Sequence, residues 1–352
     1  MMKNARIAGL GYYVPERIVH NAELAPLVNV SDEWIQGRTG IQQRRYRKKH
    51  EETTTTMGAE AARIAIDRAG ILPSDVDFII FATLSPDYYF PGNGVLLQRE
   101  LGITHRTMGA LDIRNQCSGF IYALSIADQF VKTGKYKNVL VVGAETHSWN
   151  LDFTPSGRDV TVLFGDGAGA AVVQPCDEPG RGILTTHLHA DGTHAEELAC
   201  YGPGAHGGYY LGKDRFKFSK EEFDSIYVYE GLREDRASQP YMNGQIVLRH
   251  AITRFPEVII EALDEMNLSP KDIDLLVPHQ ANLRIAQLVQ KRLGLADDKV
   301  FNNIHKFGNT TAASIPIALC EAWEQGKIEE GDLVCMAAFG SGFTWGAALV
   351  RW

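Results

Sequence analysis

The sequence predicts an α/β protein built from two related halves, and three observations carry that reading. Helix-like and strand-like patterns alternate along most of the chain, as in a sheet with helical cover. Landmarks of the first half recur in the second: Leu101-Gly102-Ile103 against Leu293-Gly294-Leu295, and Gly134-Lys135 against Gly326-Lys327, each pair 192 positions apart. Cys117 and Asn309 are separated by the same interval, and each stands where a helix begins. Two helix starts related by a pseudo-twofold axis point at one shared centre.

Taken in order, Ala5 to Leu10 reads as a short strand. Ser31-Asp32-Glu33-Trp34-Ile35 opens a capped helix that Arg38-Thr39-Gly40-Ile41 leaves. The basic run Arg44 to Lys49 reads as a solvated face. Thr55 or Thr56 caps a helix from Met57 to Ala69, which leads to a strand from Asp77 to Thr83. Val95 to Leu101 is a helix stopped by Gly102, and Met108 to Ile113 is a strand. The turn Asn115-Gln116-Cys117-Ser118-Gly119 then opens a helix whose apolar residues recur at 120, 121, 124, 127, 130 and 131. Lys137 to Gly143 is the next strand. Ser74 to Ile80 is echoed by Lys271 to Val277, and the glycine-rich Phe164 to Val173 by Phe339 to Val350, both read as glycine hairpins.

The halves are placed at residues 1–180 and 181–352. Residues 195–243, rich in Gly, Tyr and charge, have no counterpart in the first half and read as an inserted loop or lid.

Composition bounds the function. With 352 residues, 45% hydrophobic and 22% charged, the chain is an enzyme-sized globular protein. A net charge of -8 argues against nucleic acid as the main partner. The five cysteines, at 117, 176, 200, 320 and 335, are odd in number and form no CxxC pair, so neither a zinc site nor a disulfide framework is expected. No signal-like leader and no apolar run of about 18 residues occurs, which predicts a cytoplasmic protein with no membrane contact.

A cysteine at a helix N-terminus meets free N–H groups and the positive dipole end, which favour the thiolate. That stretch alone is equally compatible with a buried structural cysteine. His279, in Pro278-His279-Gln280-Ala281-Asn282, stands at the carboxyl end of a strand, where α/β ligand crevices form. A thiol, an imidazole and an amide donor together are the equipment of acyl transfer through a thioester.

These residues make the chain resemble the β-ketoacyl-acyl carrier protein synthase III family of thiolase-like condensing enzymes, from the first strand to Trp352. The resemblance rests on Ser31 to Ile35 with Arg38 to Ile41, the Cys117 helix, Phe164 to Ala171, Pro278 to Asn282, Gly308 to Ser314 and Phe339 to Gly346. It implies a thiolase-like fold with a five-layered α-β-α-β-α core, in a homodimer. It implies Cys117 as acyl acceptor from acyl-CoA, with His279 and Asn309 promoting decarboxylation of malonyl-acyl carrier protein, and no cofactor. The oxyanion donors are expected at the Cys117 N–H and the backbone near Gly340 and Gly342. The resemblance further places Trp34, Arg38 and Arg158 at CoA, and Phe90, reaching across the dimer, and Phe339 at the acyl pocket. Arg284, Lys291 and Arg292 share one helix and form a candidate dock for the acidic carrier protein; a solvated helix face reads the same way.

Two motifs are set aside. Gly165-X-Gly167-X-Gly169 leads into a strand, whereas a dinucleotide loop opens a helix. The spacing of His187, His189 and His194 matches no metal-ligand pattern. Gln116 and Ser118 flank the nucleophile where many family members carry alanine, which leaves open a specialised enzyme condensing longer or unusual acyl chains. A non-catalytic partner subunit is disfavoured by the intact Cys117, His279 and Asn309.

Overall fold

The computed structural model describes residues 4–202 and 240–352. The first half contributes strands β1 (Asn4–Tyr13), β2 (Phe78–Ala82), β3 (Gly109–Ile113), β4 (Val139–Glu145) and β5 (Gly167–Cys176). Its helices are α1 (Asp32–Thr39), α2 (Thr54–Arg68), α3 (Asn93–Glu100) and α4 (Gly119–Lys132). The second half contributes β6 (Gly182–Ala190), β7 (Leu275–Pro278), β8 (Leu333–Gly340) and β9 (Thr344–Arg351), with α5 (Gly244–Glu265), α6 (Leu283–Leu293) and α7 (Ser314–Glu324).

The sheets repeat one another strand for strand. The first runs β1-β5-β4-β2-β3 and the second, from its matching edge, β6-β9-β8-β7. In both, the two outer pairings are antiparallel and the next is parallel. A parallel bridge from Leu276 to Val300 stands where the first sheet has β3.

Alternation along the strands sorts the layers. In β4, Val139 and Val141 join the core around α4 and α7, while Leu140 and Val142 face α2 and α3. In β8, Val334, Met336 and Ala338 face the same central helices, while Leu333, Cys335 and Ala337 face α5 and α6. The order α-β-α-β-α follows, and the strands between are buried on both faces. Truncating a central side chain such as Phe120, fully buried in α4, costs about 3–5 kcal/mol.

Several expectations change. The repeat interval is not constant: the turns Gln116–Ser118 and Thr311–Ala313 correspond at 195 positions, whereas Gly134 and Gly326, beyond the helices, correspond at 192. The difference of three is the shorter α7, so the structural counterpart of Cys117 is Ala312, not Asn309. Only the second glycine motif is a hairpin, joining β8 to β9; Phe164 to Asp166 ends a long connection into β5. Thr53, not Thr55 or Thr56, caps α2, its hydroxyl accepting from Thr56 N. Arg44 is fully buried rather than solvated. Its guanidinium donates to Asn21 Oδ1 at 2.7 Å, Val162 O at 2.8 Å and Val19 O at 3.3 Å, while its Nε has no partner among the described residues. Most of the expected 195–243 insertion lies outside the described residues; at its described ends Leu198–Ala199 pairs antiparallel with Tyr241–Met242.

Candidate active site

Cys117 lies in the 3₁₀ turn ahead of α4 and is 7% exposed. Burial pushes its thiol up to about 12, with the Glu145 carboxylate acting in the same direction; the backbone N–H groups of Ser341 and of Cys117 itself pull it down. The expected lowering at a helix terminus is therefore reversed, because desolvating a thiolate outweighs the dipole of one helix end. Gly340 closes on the sulfur: a Cβ built there falls 2.7 Å from Cys117 Sγ. The donor in this loop is the Ser341 N–H, between the two glycines the sequence singled out. An added Cβ at Gly342 meets Thr344 instead.

His279 directly follows β7, with its ring buried. Ser314 Oγ, at the first residue of α7, lies 2.6 Å from His279 Nδ1 and 3.5 Å from the backbone nitrogen of Gln280. The Gln280 N–H can only donate, so the serine oxygen accepts there, which leaves its own proton available to Nδ1. With Nδ1 accepting, the imidazole carries its hydrogen on Nε2, an atom that is buried and has no partner among the described residues. Burial lowers the His279 pKa to about 3, so the ring is neutral.

Asn309 is oriented by the same logic. Its Oδ1 accepts the Thr311 N–H at 2.9 Å, which leaves the amide NH₂ to donate. Its backbone is fixed by Asn309 N to Leu163 O at 2.8 Å and Gly165 N to Asn309 O at 3.1 Å. The first half's glycine motif thus buttresses a residue of the second. The two 3₁₀ turns pack together, and a Cβ added at Gly119 would lie 3.4 Å from Ala312 Cβ. Beneath them Glu145 is fully buried and accepts from Ser85 Oγ at 2.6 Å and Thr83 Oγ1 at 3.1 Å. Burial raises it to about 7 against these and the Thr311 hydroxyl. The roles of Ser314, Thr311 and Ser341 were invisible to sequence reasoning, although each lies inside or beside a quoted motif.

At the periphery, the Arg38 guanidinium stacks 4.5 Å from the centroid of the half-buried Trp34. Arg158 is exposed and its nearest charge is Asp159 at 3.9 Å. Arg284, Lys291 and Arg292 are exposed on α6, whose start docks on α1: Asn282 Nδ2 donates to Arg38 O at 3.0 Å and Arg284 to Gly37 O. Phe90 is 81% exposed beside the exposed Tyr88 and Tyr89. Phe339 packs outward with Phe343 and Trp345, on the α5 side of β8, away from α4. Among the described residues no cluster of His, Cys, Asp or Glu is arranged for a metal ion, and His187 and His189 pair with Glu261 and Glu265. No helix among them is long and apolar enough to cross a membrane.

Known proteins resemble this chain in sequence and fold over nearly its whole length. The sequence pattern of the family described as 3-Oxoacyl-[acyl-carrier-protein (ACP)] synthase III matches residues 111–192, and that of its C-terminal part matches residues 263–352. The Beta-ketoacyl-[acyl-carrier-protein] synthase III of Caldanaerobacter subterraneus subsp. tengcongensis is 43% identical over 348 residues, covering 99% of this chain and 98% of that protein. The crystal structure of 3-oxoacyl-[acyl-carrier-protein] synthase III from Aquifex aeolicus VF5 matches with a TM-score of 0.85 at 40% identity, over 99% of this chain and 100% of that one. The priming beta-ketosynthase of the R1128 polyketide pathway matches with a TM-score of 0.84 at 32% identity, over 99% of this chain and 97% of that one.

Proposed function

Because the chain belongs to the β-ketoacyl-[acyl-carrier-protein] synthase III family, we propose that its buried Cys117, His279 and Asn309 divide the two halves of a decarboxylating Claisen condensation. The protein is a thiolase-like condensing acyltransferase of fatty-acid synthesis.

In the first half-reaction the Cys117 sulfur attacks an acyl-CoA thioester. The tetrahedral oxyanion is held by the Cys117 and Ser341 N–H groups; the carbon–sulfur bond to CoA then breaks, and CoA leaves with the thiol proton. In the second, malonyl-acyl carrier protein loses CO2, and the electron pair of the broken bond moves onto its thioester oxygen. The His279 Nε2–H and the Asn309 amide donate to that enolate. Its carbon attacks the acyl-Cys117 carbonyl and expels the thiolate, giving a 3-oxoacyl carrier protein, and the thiolate takes a proton from solvent to restore the thiol. Electrons balance without a redox cofactor or metal.

The observation that carries this reading is the unpartnered, buried Nε2 of a neutral His279. A ring whose other nitrogen already receives a proton is a donor and not a base, which suits enolate stabilisation.

Trp34 with Arg38, and Arg158, are assigned to the CoA nucleotide, since Arg pairs with phosphate and stacks on aromatic faces. Arg284, Lys291 and Arg292 continue that surface along α6 and are assigned to the carrier protein. The exposed edge of β3, with Leu111, and the Tyr88-Tyr89-Phe90 loop are assigned to a homodimer interface, because a bare strand edge beside exposed aromatics invites pairing. The division into halves 1–180 and 181–352 and a cytoplasmic location belong to the same reading.

A second reading, a specialised synthase for longer or unusual acyl chains, is favoured by Gln116 and Ser118 beside the nucleophile. Intact mass after mixing with acyl-CoAs of increasing length tests both. Covalent mass gain in the native protein, absent in Cys117→Ala, supports the nucleophile, and the preferred length separates the readings. No gain with any acyl-CoA overturns it.

A further inference from the structure

Resting on that reading, we infer that the hydroxyls of Ser118 and Thr344 form a clamp that aims the Ser341 N–H at the acyl oxyanion on Cys117. Neither hydroxyl takes part in the chemistry described above.

Three short contacts join four groups. Ser118 Oγ lies 3.0 Å from Asn115 O, Ser118 Oγ lies 2.7 Å from Thr344 Oγ1, and Thr344 Oγ1 lies 3.0 Å from Ser341 O. Two hydroxyls bring two protons to three contacts, so one contact goes without. Asn115 O already accepts the Ser118 N–H at 3.1 Å and loses least. The protons therefore run one way, Ser118 to Thr344 and Thr344 to the Ser341 carbonyl. Ser118 belongs to the same 3₁₀ turn as Cys117 and is fully buried. The chain of hydroxyls thus ties the nucleophile's own turn to the loop that supplies its donor.

Ser341 is gripped from the other side as well. Its hydroxyl donates to Leu198 O, on the short strand that pairs with Tyr241–Met242. With its carbonyl and its side chain both held, the residue has little freedom to swing its N–H away from the sulfur. An oxyanion donor works by being aimed before charge develops, so a loosened donor slows the step it serves. Ser118 and Thr344 are positioning residues in this account.

The test follows three rates in the native protein, Ser118→Ala, Thr344→Val and Thr344→Ser. These are acylation of Cys117 by acyl-CoA, alkylation of Cys117 by iodoacetamide, and CO2 release from malonyl-acyl carrier protein without acyl-CoA. Alkylation reads the thiolate, which the Ser341 N–H also stabilises, and decarboxylation uses His279 and Asn309. The clamp requires acylation to fall about tenfold or more in Ser118→Ala and Thr344→Val, with decarboxylation within about twofold of native, alkylation falling less than acylation, and most acylation restored in Thr344→Ser. Unchanged acylation in both variants overturns the clamp, and so does a common fall of all three rates, which marks a structural role. A native protein that gains no acyl mass removes the underlying reading and the clamp with it.

Discussion

The Ser314 hydroxyl oxygen stands 2.6 Å from His279 Nδ1, a contact that suits the tautomer with its hydrogen on Nε2. The serine comes from the helix start of one βα unit and the histidine from a strand end of another. Ser314→Ala frees Nδ1 to carry the hydrogen instead, so condensation should fall by roughly 10–100-fold while Cys117 acylation stays near native. Single-turnover acylation measured beside CO2 release checks it; equal loss in both half-reactions contradicts the tautomer argument.

Asn309→Asp replaces an amide donor with a carboxylate that only accepts, beside an oxygen that becomes negative. Decarboxylation should drop by about 10²-fold or more, with acyl-Cys117 still accumulating in intact mass spectra. Decarboxylation retained at the native rate would show that the amide does not meet the enolate.

The Cys117 thiol, pushed up to about 12 by burial, should remain largely protonated at neutral pH in the substrate-free protein. Alkylation by iodoacetamide should therefore keep rising with pH beyond about 9, since only the thiolate reacts. A plateau reached below pH 8 would sink the view that desolvation dominates over the helix end.

Both buried imidazoles, His147 and His279, are pushed down to about 3. An unfolded imidazole takes its proton near about 6.5, so between these values the unfolded chain binds protons that the folded chain refuses, and stability falls as pH falls. Each contributes at most ~1.4 kcal/mol per pH unit. Glu145 works the other way: raised from 4.5 to about 7, it lowers stability as pH rises between those values. Burial raises Asp112, Asp128 and Asp166 in the same direction as Glu145, so the imidazole contribution is isolated by comparing variants in denaturant titrations between pH 4.5 and 6.5. His147→Phe should lower the slope of stability against pH by about one proton, whatever it does to absolute stability. A slope identical to native would mean that His147 titrates normally in the fold.

Leu111, 37% exposed on the bare edge of β3, is assigned to the dimer interface. Leu111→Arg should shift the mass by light scattering from dimer to monomer, since an edge charge blocks strand pairing. A native protein already monomeric at working concentration refutes the interface.

Local sequence sufficed for the elements and their duplication, because amphipathic period, caps and terminal glycines act within a few residues. Ser31 caps α1 and Gly40 ends it in the left-handed region, as the pattern implies. Cys117 and His279 were likewise legible, one from its helix start and the other from its strand end. What the chain alone left undecided depends on which surfaces meet. Arg44 looks like a surface charge until three oxygen partners close over it, and Cys117 looks activated until burial outweighs the dipole. Of the donors that matter, Ser341 reaches the sulfur across the junction of the two halves, and Ser314 reaches the imidazole from a different βα unit of the same half. Sequence patterns record what each segment buries, whereas hydrogen-bond direction is set by partners that only the packed fold brings within reach.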